Sequence, residues 1–355
     1  NGVTTPLTFS FARMAYAAVY EQFCRIMAVP PARIVANRIT FARMLGLIRG
    51  RVYYNLMSWY RVLALLPGYQ VNRRFMEQMM GVKEGLPAAA LRQLDAENRG
   101  GSRWRDALGL VRSIAGLAAN HWTVERQIRE FHMRLAAALR PPDPPLAARR
   151  LDELAVHFHE LERDLLLRWD APLVNDFLAM IFFGLLRDLA TRWVGDTEGT
   201  LANDLLSGEG GIISTEPARR VRELAALARA CPGLVDALCA AELDPLSAEV
   251  EKHAAFAAAY HAYLDRFGER CLEELKLETL TLEDHPLPLL RSIGHAAKRG
   301  LDQMPHDETR LRRAAEARVV QALGGRVLRR VVFGWVLRHA RARVKSRENL
   351  RFERT

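Results

Sequence analysis

The feature that most constrains the fold is the scarcity of strand-like alternation in a chain of 355 residues. Alanine, leucine, arginine and glutamate dominate the sequence, and all four favour helices. Valine, isoleucine and threonine rarely alternate with polar residues in the short runs that indicate strands. Half of the residues are apolar, so the chain is long enough to bury a sizeable core. The sequence therefore predicts an all-α protein, a large domain of packed antiparallel helices with little or no sheet.

Clusters of proline and glycine divide the predicted helices. The strongest break is Arg140-Pro-Pro-Asp-Pro-Pro145, which suggests two subdomains, 1–140 and 146–355, within one helical region. Thr215-Glu-Pro217 has the order of cap, acid and proline expected where a helix begins, and Gly324-Gly325 predicts a bend in the last helix. The chain begins at Asn1 rather than Met, so we expect a piece of a longer protein.

Residues 46–55 bring polar side chains into a segment whose apolar residues are otherwise spaced as on one face of a helix. The pattern predicts one long helix ending at Pro67, with Asn55 in the centre of its apolar stripe. An unpaired buried amide costs about 1–3 kcal/mol, so Asn55 is expected to bond another element, a water or a ligand, with a structural partner favoured. Gly46 and Gly50 would let a second backbone approach closely.

The net charge of +10 lies almost entirely at the C-terminal end of the chain. Residues 310–355 hold fourteen lysines and arginines against three glutamates, and the remaining residues are nearly neutral. Eight of these cations are suited to neutralising phosphates: Arg326, Arg329, Arg330, Arg338, Arg341, Arg343, Lys345 and Arg347. Apolar residues lie between them, which instead favours a helix packed on protein, so nucleic acid is the weaker interpretation.

The sequence lacks several common catalytic and nucleotide-binding motifs. The chain has no Walker loop, dinucleotide fingerprint, G-x-S-x-G elbow or H-E-x-x-H motif. Glu153, His157 and Glu160 share one helix face at a spacing suited to a metal, but one helix supplies too few ligands, so no metal site is predicted. The four cysteines are scattered without a C-x-x-C pair, and no apolar run is long enough to span a membrane, so we expect a cytoplasmic protein.

A second dense polar segment follows Phe267. It runs from Phe267 to Glu278 and contains Arg270 together with Glu273 and Glu274. An arginine held in place by carboxylates is suited to binding a carboxylate or phosphate through two of its guanidinium N–H groups. An internal salt bridge that holds the loop in place is the alternative, and it is favoured on the residues alone.

Three segments together resemble the central region of phosphoenolpyruvate-synthase-like proteins, a group that includes rifampin phosphotransferase. They are Thr5-Pro-Leu-Thr8, Gly50-Arg-Val-Tyr-Tyr-Asn55, and Phe267-Gly-Glu-Arg270 through Glu274. The resemblance runs through nearly the whole chain, and its motifs mark the region rather than an activity. Relatives carry G-H-R or G-M-R where this chain has Gly268-Glu269-Arg270, and this difference leaves the acceptor open.

The resemblance implies a three-part, ATP-dependent phosphotransferase of which this chain is the helical, acceptor-binding middle part. An ATP-grasp domain would bind ATP and Mg²⁺, and a swivelling domain would carry a phosphorylated histidine; neither pattern occurs here. The chain alone is therefore expected to be inactive and to bind no cofactor, with the two flanking domains and a small-molecule acceptor as its partners. The implied pocket or domain-contact residues are Thr5, Thr8, Arg51, Tyr54, Asn55, Arg270 and Glu274.

An alternative from a different functional class remains open at this point. The chain would then be a non-catalytic helical interaction module that docks through its basic C-terminal helix. The acceptor also remains open, since pyruvate, an antibiotic and an unidentified hydroxyl compound all fit the resemblance.

Overall fold

The computed structural model describes most of the chain and divides it into two compact units, 1–178 and 179–355. The described residues are 2–66, 77, 86–87, 89–90, 92–94, 103–208, 213–231, 233–240, 243–269, 276–300 and 308–354. These residues are mainly helical, so the all-α prediction is confirmed. The one exception among them is a two-stranded sheet.

The first unit begins with helices whose ends follow from the local sequence. Helix α1 spans Pro6–Ile26, with Thr5 as its N-cap and a proline in its first turn. Two short helices follow, α2 at Pro31–Ala36 and α3 at Arg38–Ala42.

The predicted long helix ending at Pro67 is wrong, because a β-hairpin interrupts it. Strands β1 (Leu45–Ile48) and β2 (Arg51–Tyr54) pair antiparallel, with Leu45 opposite Tyr54. Arg49 and Gly50 form the turn, and both have positive φ, 51° and 74°, as two-residue hairpin loops require. Val52, Tyr53 and Tyr54 favour strand, and this preference together with the turn outweighs the helical spacing of the apolar residues.

Helices complete the first unit. Helix α4 spans Leu56–Leu65, α5 spans Arg103–Ala138 and α6 spans Leu151–Asp164. Helix α7 spans Asp170–Leu189, so it begins in this unit and continues beyond its last residue, Leu178. Short 3₁₀ turns lie at Leu146–Ala148 and Leu166–Arg168, and the proline-rich stretch 140–145 lies inside this unit. Gln22 connects α1 to the 3₁₀ turn at Leu166–Arg168 through two hydrogen bonds. Its side-chain amide donates to the Leu166 carbonyl at 2.8 Å and accepts from the Trp169 N–H at 2.6 Å.

The core of the first unit lies between α1, α3, β1 and α4. Its largest fully buried side chains include Phe41, Met44, Trp59, Tyr60 and Leu63. Trp59 and Tyr60 meet edge to face with ring centroids 4.9 Å apart, a preferred geometry for aromatic pairs. Met44 and Trp59 therefore belong to the core as their apolar character predicts, although a hairpin rather than one helix brings them together.

The second unit is built from helices, several of which pack around an apolar cluster. A π-helical turn at Ala190–Val194 extends α7 and ends at Gly195. The following elements are α8 (Leu201–Leu206), a 3₁₀ turn (Ile213–Thr215), α9 (Glu216–Arg229), α10 (Leu234–Ala240), α11 (Leu243–Glu251), α12 (Ala254–Phe267), α13 (Leu287–Arg299), α14 (Glu308–Leu323) and α15 (Val327–Arg354). The cluster includes Leu224, Leu234, Phe256 and Ile293, from helices α9, α10, α12 and α13.

Two sequence signals in the second unit are confirmed. Helix α9 begins directly after Thr215, with Pro217 in its first turn. Gly324 and Gly325 separate α14 from α15, so the predicted bend is a complete break between two helices. No helix among the residues described is long and apolar enough to cross a membrane.

Candidate functional site

The N-terminal loop lies against the hairpin turn of the first unit. The Thr4 N–H donates to the Gly50 carbonyl at 2.7 Å. A Cβ at Gly50 would lie 2.9 Å from the Val3 side chain, so only glycine fits this approach without a shift. The prediction that Gly50 admits a second backbone is therefore confirmed, although Gly50 lies in a turn rather than on a helix face.

Thr5 and Thr8 act together at the start of α1. The Thr5 hydroxyl accepts a hydrogen bond from the Thr8 N–H at 3.3 Å, which satisfies one of the backbone donors that a helix leaves open at its beginning. Thr8 is buried. The Thr5-Pro-Leu-Thr8 motif thus fixes the path of the loop that contacts Gly50, and this structural role explains its residue types.

Tyr54 belongs to a cluster of tyrosines that sequence reasoning missed. Its hydroxyl shares a hydrogen bond with the Tyr20 hydroxyl, and the Tyr16 ring lies 6.2 Å from the Tyr54 ring. Burial raises the pKa of Tyr20 to about 12 and raises that of Tyr54 further above the ordinary value, so both phenols stay protonated at neutral pH. The spacing of Tyr16 and Tyr20, one turn apart on α1, is the signal from which the cluster was predictable.

Asn55 is the N-cap of α4 rather than a buried amide within a helix. Its side-chain oxygen accepts from the Ser58 N–H at 3.1 Å, and its own N–H donates to the Met44 carbonyl at 2.8 Å. The residue is exposed, so the expected burial is wrong, while the expected structural partner is present. Arg51, at the start of β2, is also exposed.

The structure places the predicted site residues of the first unit at two separate ends of the hairpin. The loop before Thr5 lies at the turn, through Thr4 and Gly50, whereas Tyr54 and Asn55 lie at the other end of β2, where Tyr54 bonds Tyr20. Arg270 and Glu274 lie outside the described residues. Gly268 follows the last residue of α12, and its carbonyl accepts from the Glu283 N–H at 2.9 Å.

The Glu153, His157 and Glu160 face of α6 has a local structural explanation. Glu153 accepts from the Arg150 N–H at 2.8 Å and so contributes to the capping of α6. The three side chains line a shallow surface cavity beside Pro144 and Arg149. Within the described ranges, no group of three histidine, cysteine or acidic side chains is placed to hold a metal ion.

The basic C-terminal residues divide into two sets along α15. The Arg341 guanidinium donates to the Leu205 carbonyl at 2.8 and 3.0 Å and to Glu316 at 2.6 Å, and Asn349 accepts from the Ile213 N–H at 2.9 Å. Arg343 is buried, which lowers its pKa. Arg326, Arg330 and Arg338 are exposed. Arg341 and Arg343 therefore serve the packing of the second unit rather than an open phosphate-binding surface.

Comparison with known proteins adds one finding. Residues 172–348 match the family described as "Rifampicin phosphotransferase fourth domain", a stretch that covers most of α7 and the second unit up to the last turns of α15. No curated protein matches the chain. The chain therefore carries, in residues 172–348, a rifampicin phosphotransferase-like helical region.

Proposed function

We propose that this chain is the acceptor-binding helical part of an ATP-dependent phosphotransferase of the phosphoenolpyruvate-synthase type. The observation that carries the proposal is the match of residues 172–348 to the fourth domain of rifampicin phosphotransferase. ATP and Mg²⁺ would be bound by an ATP-grasp domain outside this chain. A second domain outside the chain would deliver the phosphoryl group on a histidine.

Under this proposal the chain positions the acceptor, and the groups that transfer the phosphoryl lie on other domains. Holding an acceptor in line with an incoming phosphoryl group removes much of the entropic cost of the reaction. Among the described residues, Arg51 offers an exposed guanidinium that suits a carboxylate or phosphate. Thr5, Thr8, Tyr54 and Asn55 would stabilise the hairpin that carries Arg51 and the elements next to it, since each is held by a hydrogen bond within the first unit. Arg270 and Glu274, which lie outside the described residues, are proposed as acceptor contacts on the resemblance alone.

Binding of candidate acceptors to the full chain tests the proposal. Isothermal titration calorimetry with rifampicin and with pyruvate should give saturable binding of one of them. Arg51→Ala should weaken that binding by about tenfold or more, because it removes one charged hydrogen-bonding partner. Arg38→Ala, an exposed arginine on the neighbouring helix α3, is the matched control and should bind like the unaltered chain.

A second measurement covers the complete reaction. The polypeptide that contains this chain together with its natural flanks, supplied with ATP and Mg²⁺, should phosphorylate the bound acceptor, as followed by ³¹P NMR. Absence of acceptor binding in the chain, combined with absence of ATP-dependent phosphorylation by the longer polypeptide, would overturn the proposal.

A further inference from the structure

The first half of α15 exposes an apolar stripe to solvent. Leu328 is 78% exposed, Val331 63% and Trp335 44%, and Val332 lies beside them. The spacing i, i+3, i+4, i+7 places these four side chains on one face of the helix, separate from the face that carries the buried Phe333, Val336 and Ala340. A contiguous apolar face of this kind on a protein surface marks an interaction site.

Arginines border this stripe and carry charge that the second unit does not neutralise. Arg338 lies at one edge of the stripe, Arg330 lies further round the same side of the helix, and Arg326 lies just before the helix. All three are exposed and form no ion pair with a described residue. The sequence from Gly325 to Arg347 contains no acidic residue at all. An occupant of the stripe must therefore combine an apolar contact with acidic side chains at its edge.

Helix α6 presents a surface of that complementary kind. Leu151 is 83% exposed and Phe158 44%, with the exposed Ala155 between them, so these residues form an apolar stripe at i, i+4, i+7. The helix contains five acidic residues against one arginine, and Asp152 lies beside the stripe. The two stripes match in length, about two helical turns, and are opposite in charge.

We propose that copies of this chain associate by packing α6 of one copy on the exposed stripe of α15 of another. Gly334 lies beside the stripe, and a Cβ built there meets no atom within 4 Å, so a second helix has room to approach. Three of the four stripe residues are aliphatic and offer no stacking surface for bases, and the ring of the fourth, Trp335, already contacts Phe182 and His339, which disfavours nucleic acid. Only about two turns of the helix are available, because the rest packs within the second unit, and this disfavours insertion into a lipid surface. The proposal is independent of phosphotransfer.

Sedimentation equilibrium of the full chain tests this association. The weight-average mass should rise from the monomer value over about a hundredfold range of protein concentration at about 0.1 M salt. It should fall back toward the monomer at about 1 M salt, where charges are screened within about 3 Å. A two-turn helix contact is small, so the association is expected to be weak and readily reversible.

Paired variants distinguish the proposed contact from nonspecific association. Leu328→Gln with Val331→Gln should abolish the mass increase without changing charge. Arg338→Glu should weaken association severalfold, as should Asp152→Arg, and the two together should restore it because the charges are exchanged. Arg313→Glu on α14 and Glu160→Arg on the opposite side of α6 are matched controls, expected to associate like the unaltered chain.

Two outcomes would overturn the proposal. One is a monomer at every concentration, and the other is an association that the double charge exchange fails to restore. Flotation with vesicles of anionic phospholipid provides an independent check, since binding that depends on Leu328 and Val331 while the chain stays monomeric would assign the stripe to a membrane surface instead.

Discussion

The two halves of α15 both carry net positive charge, but their arginines have different structural environments. Both halves are rich in arginine, yet Arg330 in the first half is exposed and has no ion-pair partner among the described residues, whereas Arg341 in the second half is fixed by Leu205 and Glu316. Trp335 lies near the boundary, where its ring contacts Phe182 and His339 at centroid distances of 5.5 and 4.7 Å. The difference shows that a run of arginines in sequence need not form a binding surface, because some of the guanidinium groups are already bonded within the protein.

The largest expected effect is the difference in unfolding free energy between substitutions on the buried and the exposed face of α15. Phe333 is 1% exposed, so Phe333→Ala should lower the free energy of unfolding by about 3–5 kcal/mol, because it removes a buried ring and leaves a cavity. Val331→Ala on the exposed stripe should change it by less than about 0.5 kcal/mol. Urea denaturation followed by circular dichroism measures both. Equal losses would contradict the assignment of the two faces.

A smaller effect should separate the two sets of arginines. Arg341→Ala should destabilise the protein by about 2 kcal/mol, because it removes charge-assisted hydrogen bonds to the Leu205 carbonyl and to Glu316. Arg338→Ala, three residues earlier and exposed, should stay within about 0.5 kcal/mol of the unaltered protein. The same denaturation experiment applies. If Arg338→Ala were the more harmful change, the comparison between the two halves would fail.

The smallest expected effect concerns His339, at the boundary between the halves. Burial and the neighbouring Arg338 lower the pKa of His339 below its ordinary value of 6.5, because both disfavour the charged imidazolium. The neutral form therefore contributes stability above about pH 6.5, and this contribution is lost as the pH falls through the lowered pKa. An NMR titration should show the lowered pKa, and Arg338→Gln should raise it partway. A pKa at or above 6.5 would exclude this environment.

Several local features were predictable because they depend on neighbouring residues alone. Thr215-Glu-Pro217 marks the start of α9, and Gly324-Gly325 separates the last two helices. In each case a cap, a proline or a glycine acts within about one turn of its own position. The predominance of helix was predictable for the same reason, since helix propensity is a property of short segments.

The hairpin and the candidate site were predictable only in part. Arginine is not a typical residue for the positive φ that Arg49 adopts, so the turn carried a weak signal beside the stronger apolar spacing. The resemblance to known proteins pointed to Thr5, Tyr54 and Asn55, but not to their hydrogen bonds. Two of these residues are helix caps and the third bonds to Tyr20, a contact between residues 34 positions apart in sequence.

The sequence by itself determined the helical class, several helix ends and the location of the excess charge. These properties follow from composition, capping and spacing, which act over a few residues. Only the tertiary structure decided that Asn55 caps a helix behind a hairpin, that Tyr54 pairs with Tyr20, and which arginines of α15 are committed to the second unit. Burial and partner choice depend on residues distant in sequence, so no local pattern specifies them.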